Sequence, residues 1–218
     1  NIPREGPLIL VANHPYGILD GLMMGHMLRH ARGDFRIMAN SVFTKAEDLQ
    51  RVILPISFEE TKEAMRQNLE TRREALRYLG AGGAIGIFPG GTVSTASKPF
   101  RKTPFDPSWR NFTARMVAKS GATVVPVFFD GTTSRLFQVA SHLHYTLRMG
   151  LLLKEFSKRV DRPVDVVIGA PIESAALKAR ASDSKAMMDF LRQSTYELSP
   201  RPVATCEYGY EFEEKHRA

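Results

Sequence analysis

The chain has 218 residues, 43% of them hydrophobic and 24% charged, with one cysteine and a formal net charge of +7. That composition suits one large globular domain, or one domain with a small appendage, and it excludes an internal disulfide. No uncharged apolar run reaches the roughly 18 residues needed to span a bilayer. The basic residues are dispersed, with no zinc-finger, RRM-like or basic-zipper pattern, so nucleic acid is not an expected partner. The charge surplus suits solvent, an anionic membrane surface or an acidic substrate. Residues 1–6 are polar and do not read as a secretory signal; a segment preceding Asn1 is expected, because the first strand begins almost at once.

In chain order, strands are expected at residues 8–12, 35–39, 53–57, 84–88, 123–128 and 164–168. Most are near-continuous apolar runs, as in strands covered on both faces. Helices are expected between them. Residues 21–32 form the first, stopped by Gly33. Residues 60–79 form the clearest, with Met65, Leu69, Leu76 and Leu79 on one face and Gly80 at its end. Residues 111–119, 134–159 and 183–198 follow, the last with Ser182 as N-cap. Strand–helix alternation predicts an α/β fold with a largely parallel central β-sheet flanked by helices. Domain 1–198 is followed by a tail, 199–218, carrying Glu207, Glu211, Glu213 and Glu214; the sequence leaves open whether it docks.

Two segments can carry chemistry. The first strand runs into Asn13-His14-Pro15-Tyr16-Gly17-Ile18-Leu19-Asp20. Ligands bind at strand ends of open α/β sheets, and a His oriented by a carboxylate can take a proton from a hydroxyl. The same residues also read as a core histidine, a helix-capping aspartate and an Asn bonded to turn backbone. The second segment is Phe88-Pro89-Gly90-Gly91-Thr92-Val93-Ser94, a loop after a strand whose N–H groups and hydroxyls suit a phosphate or an oxyanion, or simply a turn. Residues 80–86 are glycine-rich but follow a helix and precede a strand, the reverse of a dinucleotide fingerprint. There is neither a P-loop nor a G-x-S-x-G elbow. His26 and His30 lack an evident third ligand, so no metal is expected. In the run Val125-Pro126-Val127, the proline restricts the strand to a start, an edge or a bulge.

Together these segments resemble the glycerolipid acyltransferases, which carry Asn-His…Asp after a strand, then Phe-Pro-Glu-Gly-Thr, then Val-Pro-Val. Here they stand in that order as Asn13-His14…Asp20, Phe88-Pro89-Gly90-Gly91-Thr92 and Val125-Pro126-Val127, over residues 7–172. Five residues separate His14 from Asp20 where the family usually has four, Gly90 stands for the Glu, and Val93 stands where Arg often follows. These departures are similar to the hemolysin-named branch that includes the O-acyltransferases of ornithine-lipid synthesis.

The resemblance implies transfer of a fatty acyl group from a thioester to a lyso-lipid hydroxyl. The donor would be acyl-carrier protein or acyl-CoA, and the acceptor lyso-ornithine lipid or a lysophospholipid. His14 would be the general base and Asp20 its orienting partner. Asn13, Gly90, Gly91, Thr92, Val93 and Ser94 would bind substrate, with no cofactor beyond the donor. The protein would be membrane-associated on the cytoplasmic face of the inner or plasma membrane. Two readings from other classes are a lipid-binding relative that has lost catalysis, suggested by Gly90 and Val93, and an esterase pairing His14 with a serine. The helix at 134–159 aligns Leu136, Val139, Leu143, Leu147 and Leu151 on one face and carries Arg135, Arg148, Lys154, Lys158 and Arg159. That face either packs on the sheet, the favoured reading, or meets anionic lipid.

Overall fold

In the computed structural model, which describes residues 1–57 and 59–212, the apolar run near the start of the chain becomes β1 (Leu8–Ala12), fully buried along its length. Then follow α1 (Ile18–Arg32), β2 (Arg36–Asn40), a 3-10 turn (Ser41–Lys45), α2 (Glu47–Gln50), β3 (Ile53–Ile56), α3 (Lys62–Gly80) and β4 (Ala84–Ile87). The second half holds α4 (Asn111–Ser120), β5 (Thr123–Asp130), α5 (Arg135–Leu143), α6 (Tyr145–Ser157), β6 (Asp165–Ile168), α7 (Ser174–Lys178) and α8 (Ser184–Tyr196). The sheet order is β3-β2-β4-β1-β5-β6. The pairs from β3 to β5 are parallel, and β6 joins β5 antiparallel at the edge.

Alternation along β1 divides the core, since successive side chains point to opposite faces. Ile9 and Val11 pack with Ala75 and Leu79 of α3, Met116 of α4, and Met187 and Leu191 of α8. Leu8, Leu10 and Ala12 pack with Met24 and Leu28 of α1 and Phe129 of β5. A strand buried on both faces needs a continuous apolar run, which is why the expected strands lie within a residue or two of the observed ones.

Several expectations are corrected. In α3 the buried residues include Ala64, Thr71, Ala75 and Leu79, while Met65 and Leu69 are 60% and 52% exposed. Small residues let the helix lie close to the sheet, and the Thr71 hydroxyl donates to Pro55 O at 2.6 Å. The cap of α8 is Asp183, not Ser182: its Oδ1 accepts from Ala186 N at 3.0 Å. Pro126 sits inside an interior strand, opposite a one-residue slip in the antiparallel pairing: Val127 pairs with Ile168, whereas Val124 bridges Ile172, so the expected bulge lies on its β6 side. Thr123 N bonds Pro7 O and Phe129 N bonds Asn13 Oδ1, so the missing N–H of Pro126 faces away from β1. On that side β6 pairs only from Val127 onward, and Gly169 N donates to the Pro126 carbonyl at 2.9 Å.

The expected single helix 134–159 is two helices broken at His144, whose backbone is extended (φ −158°, ψ 135°) and whose Nδ1 caps α6 by accepting from Thr146 N. Val139 and Leu151 are therefore not on one common helical face. Arg148, expected among the surface cations, is buried, as is Glu155. These two inward charges close the α5–α6 hairpin. Arg148 Nη1 donates to Ser141 Oγ at 2.8 Å, and Glu155 accepts from Ser134 N and Ser134 Oγ, both at 2.7 Å. The tail is docked as far as Phe212; Glu213 and Glu214 lie outside the described residues. Its anchor is the fully buried Arg192 of α8, whose guanidinium donates to the carbonyls of Thr205 and Asp106.

Burial pushes the Glu155 carboxyl up, but its hydrogen bonds from Ser134 and the Lys158 charge outweigh this and hold it below the ordinary glutamate range. A depressed folded value contributes stability above the unfolded value that is lost as pH falls through the folded one. Glu155→Gln is therefore expected to flatten the fall in thermal stability below about pH 5, read as Tm against pH by circular dichroism.

Candidate active site

Three neighbouring strands end at the site. His14 follows β1, Phe88 follows β4, and Asn13 reaches β5. The Asn13 amide donates to Phe129 O at 3.0 Å and accepts from Phe129 N at 2.8 Å. It thus adds one more rung to the β1–β5 ladder and fixes the direction in which the chain leaves the sheet. Both bonds go to strand β5 rather than to turn backbone, because Asn13 extends β1 by one position toward Phe129.

The chain then turns through Pro15-Tyr16-Gly17 into α1. Gly17 has φ +73°, a conformation favouring glycine, and a Cβ there would lie 2.7 Å from Leu152 Cδ1 and 3.0 Å from Val93 Cγ2. Asp20, in the first turn of α1, folds back so that Oδ2 accepts from Tyr16 N at 2.8 Å and Gly17 N at 2.9 Å. The same oxygen lies 3.0 Å from His14 Nδ1. The five intervening residues therefore still bring carboxylate and imidazole together.

Asp20 is fully buried. Burial raises its pKa, opposed by the contact with His14 and the N–H bonds of Tyr16 and Gly17. An ionised carboxylate can only accept, so its contact with Nδ1 favours the tautomer with the proton on Nδ1 and a lone pair on Nε2. The His14 ring stacks on Phe88 at 4.3 Å between centroids, and its side chain keeps 18% exposure beside a partner with none.

A second buried carboxylate holds His14 from behind. Asp106 Oδ1 accepts from the backbone N of His14 at 3.1 Å and from Ser94 Oγ at 2.5 Å, and Oδ2 accepts from Trp109 Nε1 at 2.9 Å. Ser94 N donates to His14 O at 2.8 Å, so the loop and the His14 backbone are bonded directly. Gly90 packs against this carboxylate: a Cβ there would lie 3.3 Å from Asp106 Cγ. Gly91 carries the turn, with its N–H on Phe88 O at 3.0 Å.

Arg148 clamps the rest of the loop. It donates to Thr92 Oγ1 at 3.0 Å, Val93 O at 2.9 Å and Thr95 Oγ1 at 2.8 Å, and stacks over Phe137 and Phe212. Thus the Ser94 hydroxyl and N–H and the Thr92 hydroxyl are all engaged within the protein. Val93 is buried against the turn at Gly17.

Sequence reasoning did not pick out Asp106 or Arg148 as site residues. Asp106 is 92 positions from His14 and lies in a segment with no periodicity. The only local hint is a Phe-Asp-Pro-Ser-Trp run whose large aromatics demand burial. Phe88 was visible as part of its motif, without a role. His26 and His30 are exposed on α1, and no group of three or more His, Cys, Asp or Glu able to hold a metal occurs among the described residues.

A strand-end histidine on a buried carboxylate, backed by a loop from the next strand, is an arrangement able to take up and return a proton. The model of a family described as "Acyltransferase" matches residues 2–202, and the chain belongs to that family. Among curated proteins it is similar to the lyso-glycine lipid O-acyltransferase of Phocaeicola vulgatus, 25% identical over 179 residues, covering 79% of this chain and 61% of the relative. The protein of the same name from Bacteroides thetaiotaomicron is 24% identical over 179 residues, covering 79% and 63%. The chain thus spans about three-fifths of the length of these relatives.

A raised aspartate value means that stability linked to protonation is present below the ordinary aspartate range and lost as pH rises through the folded value. Asp20→Asn is expected to remove that loss. Tm followed from about pH 3 to pH 7 checks this, and an unchanged pH dependence in the variant would assign the loss to another group.

Proposed function

We propose that this protein transfers a fatty acyl group from a thioester to the hydroxyl of a lyso-lipid, with His14 as general base. The observation that carries the reading is the 3.0 Å contact between His14 Nδ1 and the buried Asp20 carboxylate. Nε2 removes the acceptor's hydroxyl proton as its oxygen attacks the thioester carbonyl. The C–S bond then breaks, the leaving thiolate takes the proton from the imidazolium, and the products are an ester and a free thiol. Asp20 stabilises the imidazolium in between.

The substrate's own oxygen is the nucleophile, so no acyl-enzyme is required. The thioester is already activated, and the step balances without a metal or redox cofactor. Acyl-CoA and acyl-carrier protein supply the same reacting bond, and either serves as donor. Gly90, Gly91 and Thr92 are proposed to line the acceptor headgroup or the developing oxyanion, a position supported by the Ser94–His14 backbone bond that keeps this loop beside the base.

The names of the relatives favour lyso-glycine lipid as the first acceptor to try. The Gly90 and Val93 departures favour lyso-ornithine lipid over a phosphorylated glycerol. His14→Ala is expected to lower turnover by on the order of 10²–10⁴. The assay follows thiol release and lipid product by mass spectrometry with lyso-glycine lipid, lyso-ornithine lipid and lysophosphatidate as acceptors. Retained turnover in His14→Ala would overturn the assignment, and thioester consumption without acylated lipid in wild type would point to a thioesterase.

A further inference from the structure

We propose that the outer face of the α5–α6 hairpin docks on the surface of a lipid bilayer bearing anionic headgroups. The argument starts from the polarity of α6. In a helix that covers a soluble domain, apolar residues face inward and charges face solvent. In α6 the inward stripe carries Arg148 and Glu155, at 4% and 8% exposure. The outward positions carry Leu147, Met149 and Leu153, at 53%, 42% and 63%, with Lys154 their one charge. Leu136 and Leu143 of α5 extend the surface at 56% and 72%. Phe100, 82% exposed, is tethered to it because Arg135 Nη2 donates to its carbonyl.

Charge identifies the occupant. Between Ser134 and Val160 the one carboxylate is Glu155, and it is buried. Arg135, Lys154 and Lys158 are all exposed. Large apolar side chains flanked by Arg135 and Lys154, on two helices whose own carboxylate is buried, match a leaflet whose headgroups are anionic and whose interior is apolar. The contact is peripheral, since no helix among the described residues is long and apolar enough to cross a membrane.

Position supplies the purpose. The neighbouring α6 residue Leu152 packs over Gly17, in the turn between His14 and Asp20. A bilayer resting on the outer face would lie roughly one helix diameter, about 10–12 Å, from the proposed base. In this respect the inference rests on the lyso-lipid reading, because it brings a bilayer-resident acceptor to His14.

The test compares wild type with Leu147→Ser/Leu153→Ser and with Lys154→Gln in co-sedimentation with two vesicle types. One is phosphatidylcholine alone, the other phosphatidylcholine and phosphatidylglycerol in equal parts. Wild type is expected to bind the anionic vesicles at least about tenfold better, and the leucine variant to lose about tenfold or more of that binding. The lysine variant should bind more weakly and lose part of its dependence on salt. Both variants should retain wild-type Tm and turnover of a short-chain acceptor below its micellar concentration. Binding of the leucine variant equal to wild type would overturn the proposal. So would a wild-type dimer by light scattering that the leucine variant converts to monomer, since a second copy would then cover the face. His14→Ala should bind vesicles as wild type does, so failure of the catalytic reading and failure of the surface show in separate measurements.

Discussion

The site is organised by the burial of the Asp20 carboxylate at the first turn of α1. A carboxylate removed from water is costly unless hydrogen bonds and a partner compensate. Here one oxygen gathers the N–H groups of Tyr16 and Gly17 together with the His14 imidazole, while Oδ1 has no hydrogen-bond partner among the described residues. The turn therefore has one compact way to satisfy the charge, and that way also orients the ring. The fold of the turn and the orientation of the His14 ring are one interaction.

A second carboxylate performs a similar service for the backbone. Asp106 ties His14 N, Ser94 Oγ and Trp109 Nε1 together, and its own N–H donates to the buried hydroxyl of Tyr196. The docked tail closes this layer, with Gly209 N on Asp106 O and Tyr210 N on Thr95 O. Arg192 and Arg148 then fix the tail and the loop from opposite ends of the second half of the chain. A site whose supports come from so many separate segments is held with little freedom, which favours a base aimed at one position.

The same economy explains the inverted α6. Arg148 and Glu155 are drawn inward because the loop Thr92–Thr95 and the start of α5 present hydroxyls and carbonyls that need donors and acceptors. With Arg148 and Glu155 taking inward positions beside Leu152, Leu147, Met149 and Leu153 lie outside. The hydrophobic pattern of residues 134–159 contains these leucines, but a pattern alone does not say which way a helix faces.

What the residues determined by themselves was local. The apolar runs of β1, β4 and β5 specify buried strands because a strand covered on both faces needs no alternation. The order of Asn13, His14, Asp20 and Phe88 places the base at a strand end, and the six-residue step from His14 to Asp20 lies within one turn and the start of a helix. What only the tertiary structure decided depends on distance along the chain. It includes the Asn13 clamp on Phe129, Asp106 behind His14, Arg148 under Thr92 and Val93, the exposure of Met65 and Leu69, and the break at His144. Hydrogen bonds between groups tens of residues apart leave no periodicity in sequence; they form because parallel strands bring their ends together and burial then requires each polar group to find a partner.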